Sequence, residues 1–397
     1  MIMLVATFFT GLFNYLFQIY MGRSLGTASY SELASLLSIL YILVIPGEMV
    51  QSLMTRYVSK FGAQGAHGTI SWLMRRGALG LLIFASAVFA IITLSGDLLR
   101  GFLSLSSVDS VVFLAIAVFL SLLIPAAAGP LQGLQRFLPL GGQSVSGALV
   151  KLLAGALLVG YGMGVNGALA GVSVGMGFAL VLSVLFTRDY WLRLGEPTEK
   201  REIWLYVIPA TMAVVCFTLL TNIDVVLVRH YFPEHEAGLY SAASMLAKVI
   251  LFLPGAVVAV TFPKLSEAHT LNGSTSRLLR TGALSVLVLA GLVAAGYLVF
   301  SDPVILFLYG PEYVGAGLTL KILGFAMMFF GLANIFMVYG LATGSYSFVY
   351  LIGIVSIIEV IMIMSFHGSI EQVALILLGT GGLTTALSLA FVGIRKK

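Results

Sequence analysis

Charge is what this sequence has least of. Only 9% of the 397 residues are Asp, Glu, Lys or Arg, against roughly a quarter in water-soluble domains, so a solvated globular surface is excluded. Cysteine occurs once, as Cys216, which excludes an intramolecular disulfide and any Cys-rich metal site. The histidines (His67, His230, His235, His269 and His367) are scattered and none belongs to an H-E-x-x-H helix, so no zinc-binding pattern is present. No G-x-x-x-x-G-K-[ST] loop occurs, so nucleotide hydrolysis by a Walker site is not expected. No cofactor is expected either. No basic segment precedes the first apolar run, which is therefore expected to stay as a span rather than be cleaved as a signal.

What fills the space left by charge is apolar. Hydrophobic residues make up 59% of the chain and the mean hydropathy is +1.06. A membrane-crossing helix needs about 20 predominantly apolar residues. Twelve stretches qualify: 2–21, 31–53, 77–95, 109–128, 143–163, 167–187, 204–228, 237–261, 282–300, 316–340, 346–366 and 372–394. The expected fold class is an all-α integral membrane protein with about twelve transmembrane helices.

The few cations are sorted. Fifteen Lys and Arg residues fall on the even connections and the C-terminus, and three (Arg23, Arg100 and Arg229) on the odd connections. By the positive-inside rule both termini and the even loops are expected to be cytoplasmic, in a cell membrane. The net charge of +5 is thus a topology signal, and no nucleic-acid partner is expected.

The chain reads as a duplication. The longest charged connection, 188–203, divides the spans six and six. Asn14 precedes Tyr30-Ser31 by the interval at which Asp224 precedes Tyr240-Ser241. Pro46-Gly47 leads to Arg56 as Pro254-Gly255 leads to Lys264, and Arg75-x-Gly77-Ala78-Leu79 leads to Asp97 as Arg280-x-Gly282-Ala283-Leu284 leads to Asp302. The halves are offset by 210, 208 and 205 residues at these landmarks, a drift that small loop deletions explain. With six spans each, both halves enter from the same side and form parallel repeats, an arrangement that places a substrate site between them. The expected organisation is an N-terminal six-helix bundle (1–187), a cytoplasmic linker (188–203) and a C-terminal six-helix bundle (204–397), forming a central cavity.

Short motifs in a fixed order carry a resemblance. Arg23-Ser-Leu-Gly26 with Tyr30, Gln132-Gly-Leu-Gln-Arg-Phe137, Asn222-Ile-Asp224, Ala237-Gly-Leu-Tyr240-Ser241, Phe262-Pro-Lys264 and Leu308-Tyr-Gly-Pro-Glu-Tyr313 resemble the polysaccharide (O-antigen type) flippases. That family belongs to the multidrug/oligosaccharidyl-lipid/polysaccharide exporter superfamily. The resemblance runs the length of the chain. It implies translocation of a polyprenyl-diphosphate-linked oligosaccharide for cell-surface polysaccharide, with sodium ions or protons as candidate coupling ions. Membrane lipids and other polysaccharide-assembly proteins are the partners it implies.

Such a cargo needs cations for the diphosphate and a polar cavity for the glycan. Thr7, Gly11, Asn14 and Gln18 form one stripe on the first helix, which suits either cavity lining or helix packing. Lys248, too deep in span eight to reach the interface, is the first candidate for a phosphate contact; the alternative is a partner for Asp224. Lys151 on span five is expected either to pair with Glu48 on span two or to meet substrate. Asn222 belongs to a polar arc on span seven. Arg56 and Lys264, repeat-mates at the cytoplasmic ends of spans two and eight, are candidates for a diphosphate entrance, and Arg23 and Arg229 for its receipt outside. Asp224, Glu48 and the isolated Glu359 are the candidate coupling-ion residues, because an intramembrane carboxylate is costly and marks function by default. Gly167, Gly171 and Gly175 form small-xxx-small steps expected to serve packing.

Two other classes compete. A cation- or proton-coupled multidrug antiporter of the same superfamily would share the fold and differ in cavity charge; Lys248 and Lys151 favour an anionic cargo. A membrane-embedded glycan polymerase or glycosyltransferase needs catalytic groups on large outer loops. No non-cytoplasmic connection here exceeds about fifteen residues, so an enzyme is not expected.

Overall fold

The computed structural model describes residues 2–193, 204–251, 275–342 and 347–394, and their side chains except at 204–210, 275–278, 341–342, 347–349 and 391–394. Every described element is helical, with no strand among the described residues. That is the expected outcome in lipid, where a helix satisfies its own backbone donors and acceptors. The chain divides into two compact units, Met1–Thr211 and Met212–Lys397.

The first unit holds α1 (Ile2–Leu43), α2 (Ile45–Ala63), α3 (His67–Leu94), α4 (Gly96–Leu103), α5 (Asp109–Leu123), α6 (Pro125–Gly133), α7 (Phe137–Gly160), α8 (Gly164–Phe186) and α9 (Arg188–Leu192). Helix α1 is two spans joined at a sharp kink, where Gly26 takes φ 72 and ψ 174, a conformation open to a residue without Cβ. Val44 separates α1 from α2 because Pro46 offers no N–H and crowds the preceding turn. Pro125 divides span four between α5 and α6 in the same way. The two breaks meet: a Cβ on Gly47 would lie 3.3 Å from both Leu122 and Pro125.

The second unit holds most of α10 (Trp204–Tyr231), then α11 (Glu234–Ala247), α12 (Thr275–Leu308), a 3-10 turn (Pro311–Ala316), α13 (Gly317–Ala342), α14 (Ser347–Ser365) and α15 (Ile370–Ile394). Every one of the twelve predicted stretches carries helix in its described residues. Lys264 and Pro254 lie outside the described residues.

Glycine sets the closest contact. Helices α7 and α8 form an antiparallel hairpin in which Gly171 faces Gly155 so closely that a Cβ would come within 2.4 Å of its backbone. One step along, a Cβ on Gly175 would lie 2.5 Å from the Cβ of Lys151. The packing role expected for the glycine steps is therefore observed. A branched side chain at 171 must push two backbones apart, and overpacking of this kind costs about 1–3 kcal/mol. Gly171→Val is expected to lower the apparent Tm of the purified protein by about 1–4 °C; an unchanged melting curve would contradict the seam.

Candidate functional site

The pairing of α2 with α6 builds one wall of the site. Gly129 and Gly133 let the helices touch: a Cβ at Gly133 would sit 2.6 Å from Thr55 O, and one at Gly129 2.6 Å from Met54 Cβ. This approach joins side chains far apart in sequence. Gln51 Nε2 donates to Gln132 Oε1 at 3.2 Å, and Thr55 Oγ1, which donates to the Gln51 carbonyl at 2.8 Å, stands 3.2 Å from the same oxygen.

Gln51 and Gln132 face a cavity of about 470 Å³. Its polar lining is Thr10, Asn14, Glu48, Gln51, Gln132, Gln143, Ser144 and Lys151, against Met3, Met176 and small residues of α7 and α8. Lys151 is the buried cation, only 5% exposed. Its Nζ donates to Asn14 Oδ1 at 2.9 Å and stands 4.4 Å from the centre of the Phe17 ring. Gly175 grips the root of the lysine, so its stem is fixed by backbone contact. Thr10 Oγ1 is buried without a hydrogen-bond partner among the described residues.

The structure thus unites three of the candidate residues, Asn14, Lys151 and Glu48, at one cavity, and corrects several expectations. No ion pair joins Glu48 to Lys151; Asn14 satisfies the lysine instead. The cavity face of the first helix is Met3, Thr10 and Asn14, not the stripe through Thr7, Gly11 and Gln18. Gln18 is buried and accepts a hydrogen bond from Tyr30 at 3.3 Å, a packing contact between the first two spans. Arg229 is buried and paired with Glu234 at 3.0 Å, so it is not an open outer receptor for phosphate. Arg56 lies exposed near the end of α2.

Sequence reasoning overlooked Gln51, Gln143 and Thr55. The signal that found Lys151, a polar group inside an apolar run, marks them equally. It also overlooked Glu32, a buried carboxylate held by Ser106 N, Ser106 Oγ and Ser110 Oγ at 3.1–3.2 Å. Ser110 has one hydroxyl proton and also contacts Asn166 Oδ1 at 2.7 Å. One hydrogen cannot serve two acceptors, so the Asn166 amide is better turned to donate to Ser110.

The second unit holds a different cluster. Asp224 is fully buried; its Oδ2 accepts hydrogen bonds from Tyr240 at 2.8 Å and Ser244 at 3.3 Å, and its Oδ1 has no partner among the described residues. Glu359 is equally buried. Its Oε2 accepts from Thr380 at 2.5 Å and its Oε1 likewise has no partner among the described residues. Lys248 donates to Asn222 Oδ1 at 3.2 Å. Asp224, Glu359 and Lys248 are close enough to act electrostatically on one another. Glu359 is therefore not isolated, as its sequence position implied: helix packing brings spans seven, eight, eleven and twelve to one point.

The two clusters are related by the duplication. Glu359 follows Lys151 by 208 residues, the offset of the Pro-Gly landmark, and each sits on the fifth helix of its half. Their first-helix neighbours, Asn14 and Asp224, are repeat-mates as well. The corresponding position thus carries a buried lysine in one half and a buried glutamate in the other.

The fold has known counterparts. A multidrug resistance MATE family transporter of the MOP superfamily, in an inward-facing conformation, matches at 12% identity and a TM-score of 0.80, covering 97% of this chain and 94% of the other. The lipid II flippase MurJ, inward closed, matches at 16% identity and a TM-score of 0.77, covering 98% and 87%. A Vibrio cholerae MATE transporter, VcmN, matches at 14% identity and a TM-score of 0.67, covering 100% and 98%. At such identities the likeness is one of fold. No curated protein matches the chain. The sequence model of the polysaccharide biosynthesis protein family matches residues 79–317, more than half of the sequence, and the chain belongs to that family.

Proposed function

We propose that the protein is a flippase for a polyprenyl-diphosphate-linked oligosaccharide, working by alternating access in the cytoplasmic membrane with both termini inside. Bundles 1–187 and 204–397, joined by the linker 188–203, would be the moving parts. The observation that carries the reading is the chemistry of the first-unit cavity: four carboxamides, two hydroxyls, one held lysine and one carboxylate inside an apolar bundle. Carboxamides both donate and accept, which suits the hydroxyls of a glycan. A buried ammonium suits phosphate, as a point charge with three donors. Membership of the polysaccharide biosynthesis family agrees with such a cargo. Asn14 and Lys151 would contact substrate, with Gln51, Gln132 and Gln143 facing the sugars. Arg56 and Lys264 would serve at the entrance. Glu48, on the cavity lining, and Asp224 with Glu359 would take the coupling sodium ion or proton, with Lys248 and Asn222 beside the latter pair. The binding and coupling are those of a transporter, not an enzyme.

The test is transbilayer movement of a fluorescent diphosphate-linked oligosaccharide in proteoliposomes. The wild type is expected to flip it at a rate well above protein-free vesicles. Absence of flipping, together with gradient-driven efflux of a lipophilic cation, would replace this reading with the multidrug antiporter.

A further inference from the structure

Where α2–α3, α6–α7 and α8–α9 connect, the first unit holds a polar pocket of about 340 Å³ lined by His67, Leu134, Arg136, Asp189, Tyr190 and Arg193. These are three of the even connections, where the cations gather. The pocket is built, not an accident of loose loops. Arg75 reaches across from α3 and donates to the carbonyls of Trp191 and Arg193, pinning the end of α9. Trp191 Nε1 donates to Thr187 Oγ1 at 2.9 Å. Tyr190 meets His67 with its hydroxyl 3.3 Å from Nδ1 and lies under the Arg193 guanidinium at 5.8 Å. Arg136 Nη1 donates to the Phe186 carbonyl at 3.0 Å, which orients the guanidinium and leaves it further N–H groups. Asp189 is the one acid in the lining, and Arg188 stands 3.9 Å from it.

We propose that this pocket binds the phosphate of an anionic phospholipid headgroup. Two guanidiniums, an imidazole and a phenol converge there, the donor set that phosphate oxygens require. The surroundings choose a lipid over a soluble anion. Leu192, 82% exposed, adjoins Arg193 in the chain, and the exposed Phe137 and Leu138 follow Arg136 directly. Apolar side chains next to guanidiniums at the end of a bundle fit a headgroup whose acyl chains continue along the protein. Trp191 and Tyr190 are the residue types that settle at that depth. Basic pockets between transmembrane helices on the positive side take anionic headgroups by this chemistry. The inference needs only the membrane setting and the pocket. It does not depend on which cargo is flipped.

The full chain, delipidated in detergent, would be offered phosphatidylglycerol, phosphatidylcholine or inorganic phosphate, and lipid retention would be read by native mass spectrometry. The wild type is expected to retain phosphatidylglycerol over phosphatidylcholine, and Arg136→Gln/Arg193→Gln to lose that preference by on the order of tenfold or more. Arg100→Gln, on an odd connection and touching no residue of the pocket lining, is expected to behave as wild type. Should the double variant not fold, Arg193→Gln alone, at an exposed position, is expected to show a smaller loss in the same direction. Equal retention by wild type and the pocket variants would overturn the proposal. So would full displacement of the lipid by millimolar inorganic phosphate, which would reassign the pocket to a soluble anion.

Discussion

Lys151→Met is expected to reduce flipping of a diphosphate-linked oligosaccharide by roughly 100- to 1,000-fold, with little change in folded yield. The magnitude follows from losing a buried, hydrogen-bonded charge contact, which costs about 2–5 kcal/mol in comparable settings. The fold should tolerate the change because methionine keeps the apolar stem packed on Gly175, and a thioether can stand over the Phe17 ring where the ammonium stood. The partner left behind is neutral: Asn14 can turn its amide to the cavity, so no unpaired charge is buried. Lys151→Glu should be worse than methionine for transport, since a carboxylate repels the diphosphate and imitates the charge of its repeat-mate Glu359. Binding and transport should fall together, because the lysine is proposed to hold cargo and not to move the bundles. Flipping by Lys151→Met within about threefold of wild type, at matched protein density, would remove the lysine from the mechanism.

Much of this architecture can be read in one dimension, because the bilayer imposes a length and a polarity on each span. All twelve apolar stretches carry helix where described, and the kink at Gly26 falls between the first two. The duplication was visible as well, through Asn14 and Asp224 and the Pro-Gly pairs. Contacts between helices were not. Periodicity shows which residues share a face of one helix, but not which helix that face will meet. Hence Gln51 and Gln132, 81 residues apart, meet only because two glycines on α6 let α2 approach. Glu359 looks solitary in its apolar run for the same reason. Its partners lie on other helices, and its kinship with Lys151 is hidden by the change of sign. The Glu48–Lys151 pair failed for a different reason: opposite charges at matching depth on two helices still need facing directions, and Asn14 is closer to the ammonium.

Asp224→Asn/Glu359→Gln should abolish gradient-driven transport and at the same time make the protein indifferent to the ion that drives it. Two fully buried carboxylates, each with one oxygen lacking a partner among the described residues, form an arrangement that is expensive in lipid unless a cation or proton joins it. Lys248 lies within electrostatic reach but is hydrogen-bonded to Asn222. Were all three groups ionised, one ammonium would leave one of the two negative charges uncompensated. A ligand bound by the folded state alone at a hundred times its Kd stabilises by about 2.7 kcal/mol. The wild type is therefore expected to melt several degrees higher as sodium is added, or as pH falls if the proton is the coupling species. The neutral double variant should show no such response and should start from a melting temperature at or above that of the ion-free wild type. This combination separates a working site from a structural one: carboxylates that merely tied helices together would destabilise the protein when neutralised, in every buffer. Transport by the double variant at the wild-type rate under a sodium or proton gradient would show that coupling resides elsewhere, with Glu48 in the first-unit cavity the next carboxylate to neutralise.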